Sequence, residues 1–367
     1  MEFPQNLLSP QKVIFRKGSL LDLPREVEEF GGCGLILHGT SFEKTGKIER
    51  LLKAFPGSGS AQFYCCPQGE PTLLEISQVI ALGKKKKIQW IAGIGGGSVL
   101  DLAKAAAGLF HAQKSPAFYQ EGGPLEKTGI PFIAVPTTAG TGSEATPNAV
   151  VINPEKKVKL SIRDPSFMAC KVILDPDLLK GLPPQIMAYS SMDAMVQGYE
   201  SYISKNATWY TDQLALRAVQ RIHQHLVPAI EKEEDEDLEA LLIASYFAGT
   251  ALASARLGVI HGIAHPLGVL YGLPHGLICA VCFIPSIDLN RKDMGKKYEA
   301  LSQAVGKDFK ERVEELLKIL KITSPFQGKT LIEKEKIILE TLTSGSTAAN
   351  PKPVVREDVE FILRALF

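Results

Sequence analysis

Four side chains in the second half of this sequence have the types and the spacing of a divalent-metal site. Asp193 and Gln197 are four residues apart, which is one helical turn on the same face, and His261 and His275 follow later in the chain. A carboxylate and imidazoles are ligands that zinc and iron accept in sites with an open position for chemistry. A neutral amide is a much weaker ligand. The sequence therefore predicts a metal site with an unusual member at Gln197.

Two glycine-rich segments, each directly after a predicted strand, have the composition of phosphate-binding loops. The first is Gly95-Gly96-Gly97-Ser98, where the missing side chains would let the backbone approach an anion at a helix N-terminus. The second is residues 136–144, whose small hydroxyl-bearing side chains suit a phosphate or a ribose. Either segment alone is also typical of a tight turn or a flexible loop. Because both follow strands of one predicted sheet, we expect a shared nucleotide crevice.

The elements that must position these residues change character near residue 182. Upstream, β-branched runs alternate with helical patterns; the predicted strands are 34–38, 62–66, 89–93 and 131–135, and the predicted helices are 41–55, 72–82 and 98–110. This alternation predicts a parallel sheet covered by helices. Further short strands, expected as an antiparallel flap, lie between Ala149 and Asp175. After Pro183 and Pro184 the pattern is helical almost throughout.

The predicted fold is therefore an α/β N-terminal dinucleotide-binding domain with a parallel sheet, residues 1–182, plus an all-α C-terminal domain, residues 183–367, with a cleft between them. The C-terminal domain would carry the metal and substrate residues. Lysine and arginine number 41 and aspartate and glutamate 40, so the net charge of +1 predicts no nucleic-acid partner.

The six cysteines have neither the spacing of a disulfide framework nor a CxxC pair. Cys65 and Cys66 lie in a predicted strand, where we expect buried, reduced thiols. The first residues do not have the pattern of a secretory leader, and we find no apolar stretch of the ~18 residues that a membrane span needs. A cytoplasmic protein without membrane contact is expected.

These motifs together resemble the iron-containing (group III) alcohol dehydrogenase family. The run from Gly95 to Lys104 resembles its GGGSxxDxAK motif, residues 136–144 resemble its second signature, and the run from His261 to Gly276 resembles its third. The resemblance covers nearly the whole chain. It implies an NAD(P)-dependent oxidoreductase that interconverts an alcohol and an aldehyde or ketone by hydride transfer in the interdomain cleft, assisted by a divalent metal.

The resemblance also implies roles for particular residues. Those that would surround the cofactor are Gly95, Gly96, Gly97, Ser98, Asp101, Thr137, Thr138, Ser143 and Lys159. The family binds its metal through an aspartate, a histidine four residues later and two distant histidines. Asp193, His261 and His275 match three of these ligands, and Gln197 replaces the fourth. His265 would line the site near the nicotinamide and relay the alcohol proton; a packing role for this histidine is the alternative.

The residue after the first strand distinguishes the two nicotinamide cofactors in this family. An aspartate there accepts a hydrogen bond from the ribose of NAD and would repel the 2′-phosphate of NADP. Here Gly39 occupies that position, and Thr40 and Ser41 offer donors to a phosphate. We therefore predict NADP as the cofactor over NAD.

Three arrangements at Gln197 remain open at this stage. Its carbonyl oxygen binds the metal, or three ligands leave a position for water or substrate, as is usual in catalytic zinc sites. In the third arrangement no metal is bound, and Asp193 with the two histidines polarises the substrate by hydrogen bonding alone. We expect a retained metal, either Fe2+ or Zn2+.

Two other activities are compatible with the same resemblance. A metal-independent reductase similar to maleylacetate reductase is the closer alternative, because Gln197 replaces one of the metal ligands of the family. A lyase similar to dehydroquinate synthase would need basic residues for a substrate phosphate, and the sequence has none beside the two matching histidines. Four apolar residues near the predicted site suggest an aliphatic alcohol or aldehyde as the small-molecule substrate: Phe247, Leu257, Val259 and Tyr271. A homodimer paired through an edge of the N-terminal sheet is expected from the resemblance.

Overall fold

The computed structural model describes residues 2–44, 46–55 and 61–367, and it confirms the predicted fold class. Among these residues the strands are β1 (Lys12–Phe15), β2 (Gly34–His38), β3 (Ala61–Cys65), β4 (Trp90–Gly95), β5 (Phe132–Pro136), β6 (Asn148–Asn153), β7 (Val158–Arg163) and β8 (Lys171–Leu174). Six of them form one parallel sheet in the order β1-β8-β5-β4-β2-β3, and β6 pairs with β7 as an antiparallel ribbon.

Helices connect the strands and make up nearly all of the second half. Those in the first half are α1 (Leu23–Val27), α2 (Thr40–Glu43), α3 (Lys47–Ala54), α4 (Leu73–Lys86), α5 (Gly97–Gly108) and α6 (Pro116–Gln120). Those in the second half are α7 (Pro184–Ile203), α8 (Trp209–Lys232), α9 (Asp235–Ala255), α10 (Val259–Tyr271), α11 (His275–Asn290), α12 (Lys296–Val305), α13 (Phe309–Ile319), α14 (Lys334–Thr343) and α15 (Arg356–Leu366). Single-turn 3₁₀ helices lie at Ser19–Asp22, Glu28–Phe30, Ser143–Ala145, Pro165–Phe167, Pro176–Leu178 and Thr347–Ala349.

The chain divides into two compact units. The α/β unit is Leu8–Thr138 with Ser143–Lys180, and the helical unit is Gly181–Phe367 with Met1–Leu7 and Ala139–Gly142. The short middle piece belongs to the second glycine-rich segment and packs closely within the helical unit: a Cβ on Gly142 would lie 2.5 Å from the Cα of Gly249. Gly142 also has a φ of +59°, which side chains disfavour, so two constraints require glycine there.

The central strands of the sheet are buried on both faces, as parallel strands covered by helices must be. Every residue of β2, β4 and β5 is buried. One face packs Ile36, Ile94 and Val135 into a core that also holds Trp90 and Phe55. The nearly continuous apolar sequence of these strands follows from that burial.

The structure corrects several details of the predicted elements. The helix predicted over 41–55 is interrupted: α2 ends at Glu43 and α3 begins after Gly46, which has a φ of +68°. Residue 45 of that prediction lies outside the described residues. The stretch predicted as an antiparallel flap contains the β6–β7 ribbon, but β8 joins the parallel sheet instead. Strand β1 was not predicted, because it is short and mostly exposed. Cys65 is exposed, and only its neighbour Cys66 is buried.

Helix α9 contradicts the expectation that no apolar stretch is long enough for a membrane span. It has 21 residues and includes an 18-residue window that, by length and composition alone, is apolar enough to cross a membrane. Within the helical unit, however, 67% of that window is buried, and α9 packs against α7 and α8. This is the position of a core helix.

A buried lysine joins the two glycine-rich motifs of the α/β unit. Lys104 on α5 is fully buried, and its Nζ donates to the backbone oxygens of Ser143 (2.6 Å) and Asn148 (2.8 Å) and to the Oγ of Ser143 (2.9 Å). Asp101, one turn earlier, accepts from the same Oγ at 2.5 Å and from the N–H of Val150 at 3.0 Å. Because a buried cation needs such partners, these contacts fix the second loop against the helix that follows the first.

Candidate active site

The predicted cofactor residues of the α/β unit follow three neighbouring strands at their carboxyl ends. Gly39 follows β2, Gly96 follows β4, and Thr137 follows β5. Strand β4 comes after β3 in the chain but lies on the opposite side of β2, so the strand order reverses between β2 and β4. In open parallel sheets, ligands bind outside the carboxyl ends at such a reversal. The structure therefore brings these three positions to the edge where a nucleotide would be expected.

The turn between β4 and α5 runs close to its neighbours. A Cβ on Gly95 would lie 2.5 Å from the Cβ of Val99, and one on Gly96 would lie 3.3 Å from the Oγ1 of Thr138. Gly97 is the first residue of α5, where amide N–H groups have no partner within the helix. A backbone without side chains at a helix N-terminus is suited to an anion such as a pyrophosphate.

The other predicted cofactor residues differ in whether their polar atoms already form hydrogen bonds or ion pairs within the protein. Ser98 is the second residue of α5 and is half-buried in the same turn. The side-chain oxygens of Asp101 and Ser143, by contrast, belong to the buried hydrogen-bond network of Lys104. These two residues therefore stabilise the loops from inside the protein. Lys159 on β7 forms an ion pair with Glu70 at 2.7 Å.

The segment after β2 has room for a larger side chain. A Cβ on Gly39 would meet only the Cγ2 of Val99 at 3.6 Å and the Oγ of Ser41 at 3.7 Å, which are ordinary contacts. The φ of Gly39 is −84°, which any residue adopts. Thr40 accepts a hydrogen bond from Gln68 at 3.3 Å, and Ser41 is exposed. Glycine is therefore not required here by the backbone.

Within the helical unit, four metal-ligating side chains from three helices meet at one point. Asp193 lies on α7, His261 on α10, and His275 and Cys279 lie one turn apart on α11. One ligand atom from each lies within 4.8 Å of every other. Asp193, His261 and Cys279 are buried, and His275 is partly exposed. Three of these were predicted from the sequence, and the cysteine was not.

The distances within this group are those of atoms that converge on a common centre. The Oδ1 of Asp193 lies 3.2 Å from the Nε2 of His261 and 3.9 Å from the Nε2 of His275. The Sγ of Cys279 lies 3.9 Å and 3.6 Å from the same two nitrogens. A carboxylate, two imidazoles and a thiol form a donor set that fits a divalent cation.

Gln197 was predicted as the fourth ligand, and it is buried one turn after Asp193 on α7. Its Oε1 has no hydrogen-bond partner among the residues that the structure describes. A buried carbonyl oxygen without a partner is costly, and a cation or a water molecule at the site would satisfy it. This atom is thus consistent with a bound group beside it.

Glu200 is a residue of the site that the sequence analysis missed. Its Oε2 lies 2.6 Å from the Nδ1 of His261, and its Oε1 accepts the backbone N–H of Ile260 at 2.6 Å. A carboxylate behind a metal-binding histidine fixes the ring and directs the lone pair of the other nitrogen towards the metal. Glu200 is seven residues after Asp193 on α7, and this spacing on the same helical face was the available sequence signal.

Both ring nitrogens of His261 therefore face a carboxylate, and a neutral imidazole has only one N–H to donate. Burial alone would lower the pKa of His261, but the sulfur of Cys279 and the carboxylates of Asp193 and Glu200 raise it well above its ordinary value. With no metal bound, a protonated ring would donate to both carboxylates. Burial also raises the pKa of the Cys279 thiol to about 12, so only a bound cation would make it a thiolate near neutral pH.

His265, the predicted catalytic residue, lies one turn after His261 on α10 and is half-buried. Its ring centroid is 5.4 Å from that of His275. His265 is therefore next to the group formed by Asp193, His261, His275 and Cys279 but does not belong to it.

Two family models together match most of the chain. Residues 10–176 match the model described as iron-containing alcohol dehydrogenase, and residues 187–367 match the C-terminal model of the same family. The chain is 31% identical over 299 residues to the probable alcohol dehydrogenase EutG of Escherichia coli, covering 81% of this chain and 76% of that protein. It is 31% identical over 280 residues to the NAD-dependent methanol dehydrogenase of Bacillus methanolicus, covering 75% and 73%.

A solved structure agrees with this similarity. The alcohol dehydrogenase from Oenococcus oeni superimposes with a TM-score of 0.92 at 25% identity, covering 98% of this chain and 99% of that one. Together with the converging ligand group and the glycine-rich edge of the sheet, these matches show that the chain belongs to the iron-containing alcohol dehydrogenase family of nicotinamide-dependent oxidoreductases.

Proposed function

We propose that this chain interconverts small aliphatic alcohols and aldehydes with NADP(H), using a divalent cation held by Asp193, His261 and His275. The observation that supports this most is the convergence of these three side chains from three separate helices. When bound, the nicotinamide supplies or accepts the hydride, and the cation polarises the alcohol or carbonyl oxygen as a Lewis acid. A homodimer and a cytoplasmic location remain predictions.

The α/β unit would bind and orient the cofactor. In this proposal the backbone of Gly95, Gly96 and Gly97 and the hydroxyl of Ser98 hold the pyrophosphate at the start of α5. Thr137 and Thr138 follow the adjacent strand β5 and would flank the cofactor from there. Six further residues complete the proposed cofactor set, either at its edge or by supporting the loops: Gly39, Thr40, Ser41, Asp101, Ser143 and Lys159.

In the helical unit, Glu200 would keep His261 in position by accepting its Nδ1–H. The Oε1 of Gln197, buried and without a partner in the described part of the chain, would face the bound group. His265 would hold the proton that the substrate oxygen gains or loses. This assignment rests on its position next to the ring of His275.

A metal-independent reductase is the second candidate, and the contact between His261 and Asp193 favours it. At 3.2 Å this contact is a sound hydrogen bond, so an imidazolium between two carboxylates would be stable without a cation. Such a protein would polarise its substrate by hydrogen bonding alone.

The apolar residues that suggested an aliphatic substrate are not all accessible. Val259 is fully buried, and the ring of Tyr271 packs against Phe326 and Phe367. Phe247, Leu257 and Tyr271 are each partly exposed, so these three residues support that argument.

The two candidates differ in their response to metal removal. We expect the mildly purified protein to contain stoichiometric divalent metal and to oxidise NADPH with aliphatic aldehydes, and a chelator to abolish this until metal is restored. The measurements are elemental analysis and the absorbance of the reduced nicotinamide, with unsaturated keto acids as the comparison substrates. Full activity of metal-free protein would identify the metal-independent reductase.

Replacing Glu200 with Gln tests how His261 is held. The amide keeps the size of the carboxylate but puts an NH2 group against either the N–H of His261 or that of Ile260, so we expect ~10–100-fold weaker metal binding. Metal retention during dialysis against graded chelator measures this. Glu231→Gln, at an exposed position on α8, is the control. Equal retention in both variants would show that Glu200 does not support a metal ligand.

Replacing Gly39 with Asp tests the cofactor preference. The space at Gly39 admits the side chain, and like charges brought together cost several kcal/mol, so the ratio of kcat/KM for NADPH to that for NADH should fall about 10-fold or more. Gly39→Asn has the same shape without the charge and should change the ratio much less. The NADP assignment is wrong if the unaltered protein turns over NADH as well as NADPH at matched concentrations.

Replacing His265 with Asn tests the proton relay. Removal of a general acid–base group should lower kcat by roughly 100-fold and remove its limb from the pH–rate profile, with metal content and melting temperature unchanged. His111→Asn, at an exposed position in the α/β unit, is the control. An unchanged rate and pH profile would assign His265 to packing.

A further inference from the structure

The position of Cys279 gives it a role that the family resemblance did not supply. It follows His275 by one turn on α11, so both side chains leave the same face of that helix. Its Sγ is fully buried and lies 3.6 Å from the Nε2 of His275 and 3.9 Å from the Nε2 of His261. The sulfur therefore lies beside the nitrogen through which each imidazole would bind a metal.

These separations fit the geometry of a four-coordinate site. Metal–ligand bonds of about 2.0–2.3 Å at tetrahedral angles place neighbouring ligand atoms ~3.3–3.6 Å apart. The Oδ1 of Asp193 lies 3.2 Å from the Nε2 of His261, and the sulfur distance to His275 is 3.6 Å. The two longer separations, both 3.9 Å, would close by a few tenths of an ångström on binding. The remaining separations in the group are no more than 4.8 Å, so binding would require the ligands to approach one another by about 1 Å at most.

The ordinary explanation for a buried cysteine is packing, and Cys282 illustrates it. That residue is on the same helix and is equally buried, but it is not in the group of converging ligands. Cys279 differs from it because its sulfur faces two ring nitrogens that also approach the carboxylate of Asp193. Packing alone does not account for this placement.

We propose that Cys279 is a metal ligand in this chain, and that its thiolate replaces the imidazole lost at Gln197. This inference rests on the metal site of the proposed function. The ligands would be Asp193, His261, His275 and Cys279, a set with two negative charges that match a divalent cation. A thiolate favours zinc over ferrous iron at such a site, because zinc is the softer and more strongly bound of the two. The predicted site is therefore a zinc site within an iron-named family.

Cobalt in place of the native metal reports the ligand directly. After chelator treatment and reloading with Co2+, the full-length protein should show an intense near-ultraviolet thiolate-to-cobalt charge-transfer band. Cys279→Ser should still bind cobalt but lose the band, and its zinc affinity should fall by about 100-fold or more, beyond what outer-shell losses cost. Cys282→Ser is the matched control, with the same atom change on the same helix, and should keep both the band and the affinity.

X-ray absorption at the zinc edge of the unaltered protein gives a second answer that does not depend on how a variant folds. We expect one sulfur neighbour at about 2.3 Å together with nitrogen and oxygen neighbours. Bound metal with only nitrogen and oxygen neighbours, or a cobalt spectrum without the band, would overturn the inference and leave the metal-dependent function standing. Failure of the unaltered protein to bind any of zinc, cobalt and ferrous iron would overturn both.

Discussion

The burial of ionisable groups around His261 is the constraint on which the candidate metal site depends. Asp193 and Glu200 are both on α7, and neither carboxylate nor the imidazole between them is more than 3% exposed. Groups of this kind cost several kcal/mol to remove from water unless partners compensate them. The seven-residue spacing of the carboxylates fixes where α10 must place the imidazole. Every other ligand is positioned relative to that arrangement.

The α/β unit also buries a charged side chain, in this case the cation of Lys104. Lys104 is fully buried. Its partners are the backbone oxygen and the hydroxyl of Ser143 in the second loop, the backbone oxygen of Asn148 and the nearby carboxylate of Asp101. The last residue of the first motif thus holds the second motif in place. Some residues of each motif therefore hold the loops in their conformation and do not face a ligand. Asp101 and Ser143 are of this kind, because their side chains hydrogen-bond to each other inside the protein. Gly96 and Thr138, in contrast, lie next to each other at the turn between β4 and α5.

Sequence periodicity was sufficient for the elements that carry a strong local signal. Strand β2 has the predicted bounds. Asp193, His261 and His275, which were identified by their match to the family motif, also lie close together. Glu200 was missed because its partner His261 lies far along the chain, and Cys279 was missed because a cysteine in an apolar helix looks like packing although His275 is one turn away. His261, for example, is 61 residues from Glu200 and 68 from Asp193. The break between α2 and α3 was missed because only the left-handed backbone of Gly46 reveals it.

Gln197 and Cys279 are best understood as one change and not two. With an imidazole at position 197, the ligands would carry a single negative charge; with an amide there and a thiolate from Cys279, they carry two. A thiolate is the stronger donor, so the neutral amide no longer has to complete the coordination. The Oε1 of Gln197 is nevertheless buried and without a partner among the described residues, which a site filled only by protein ligands would leave uncompensated. That oxygen is therefore placed to accept a hydrogen bond from a water or a substrate hydroxyl, which would add to the four protein ligands as a fifth, an expansion that zinc allows.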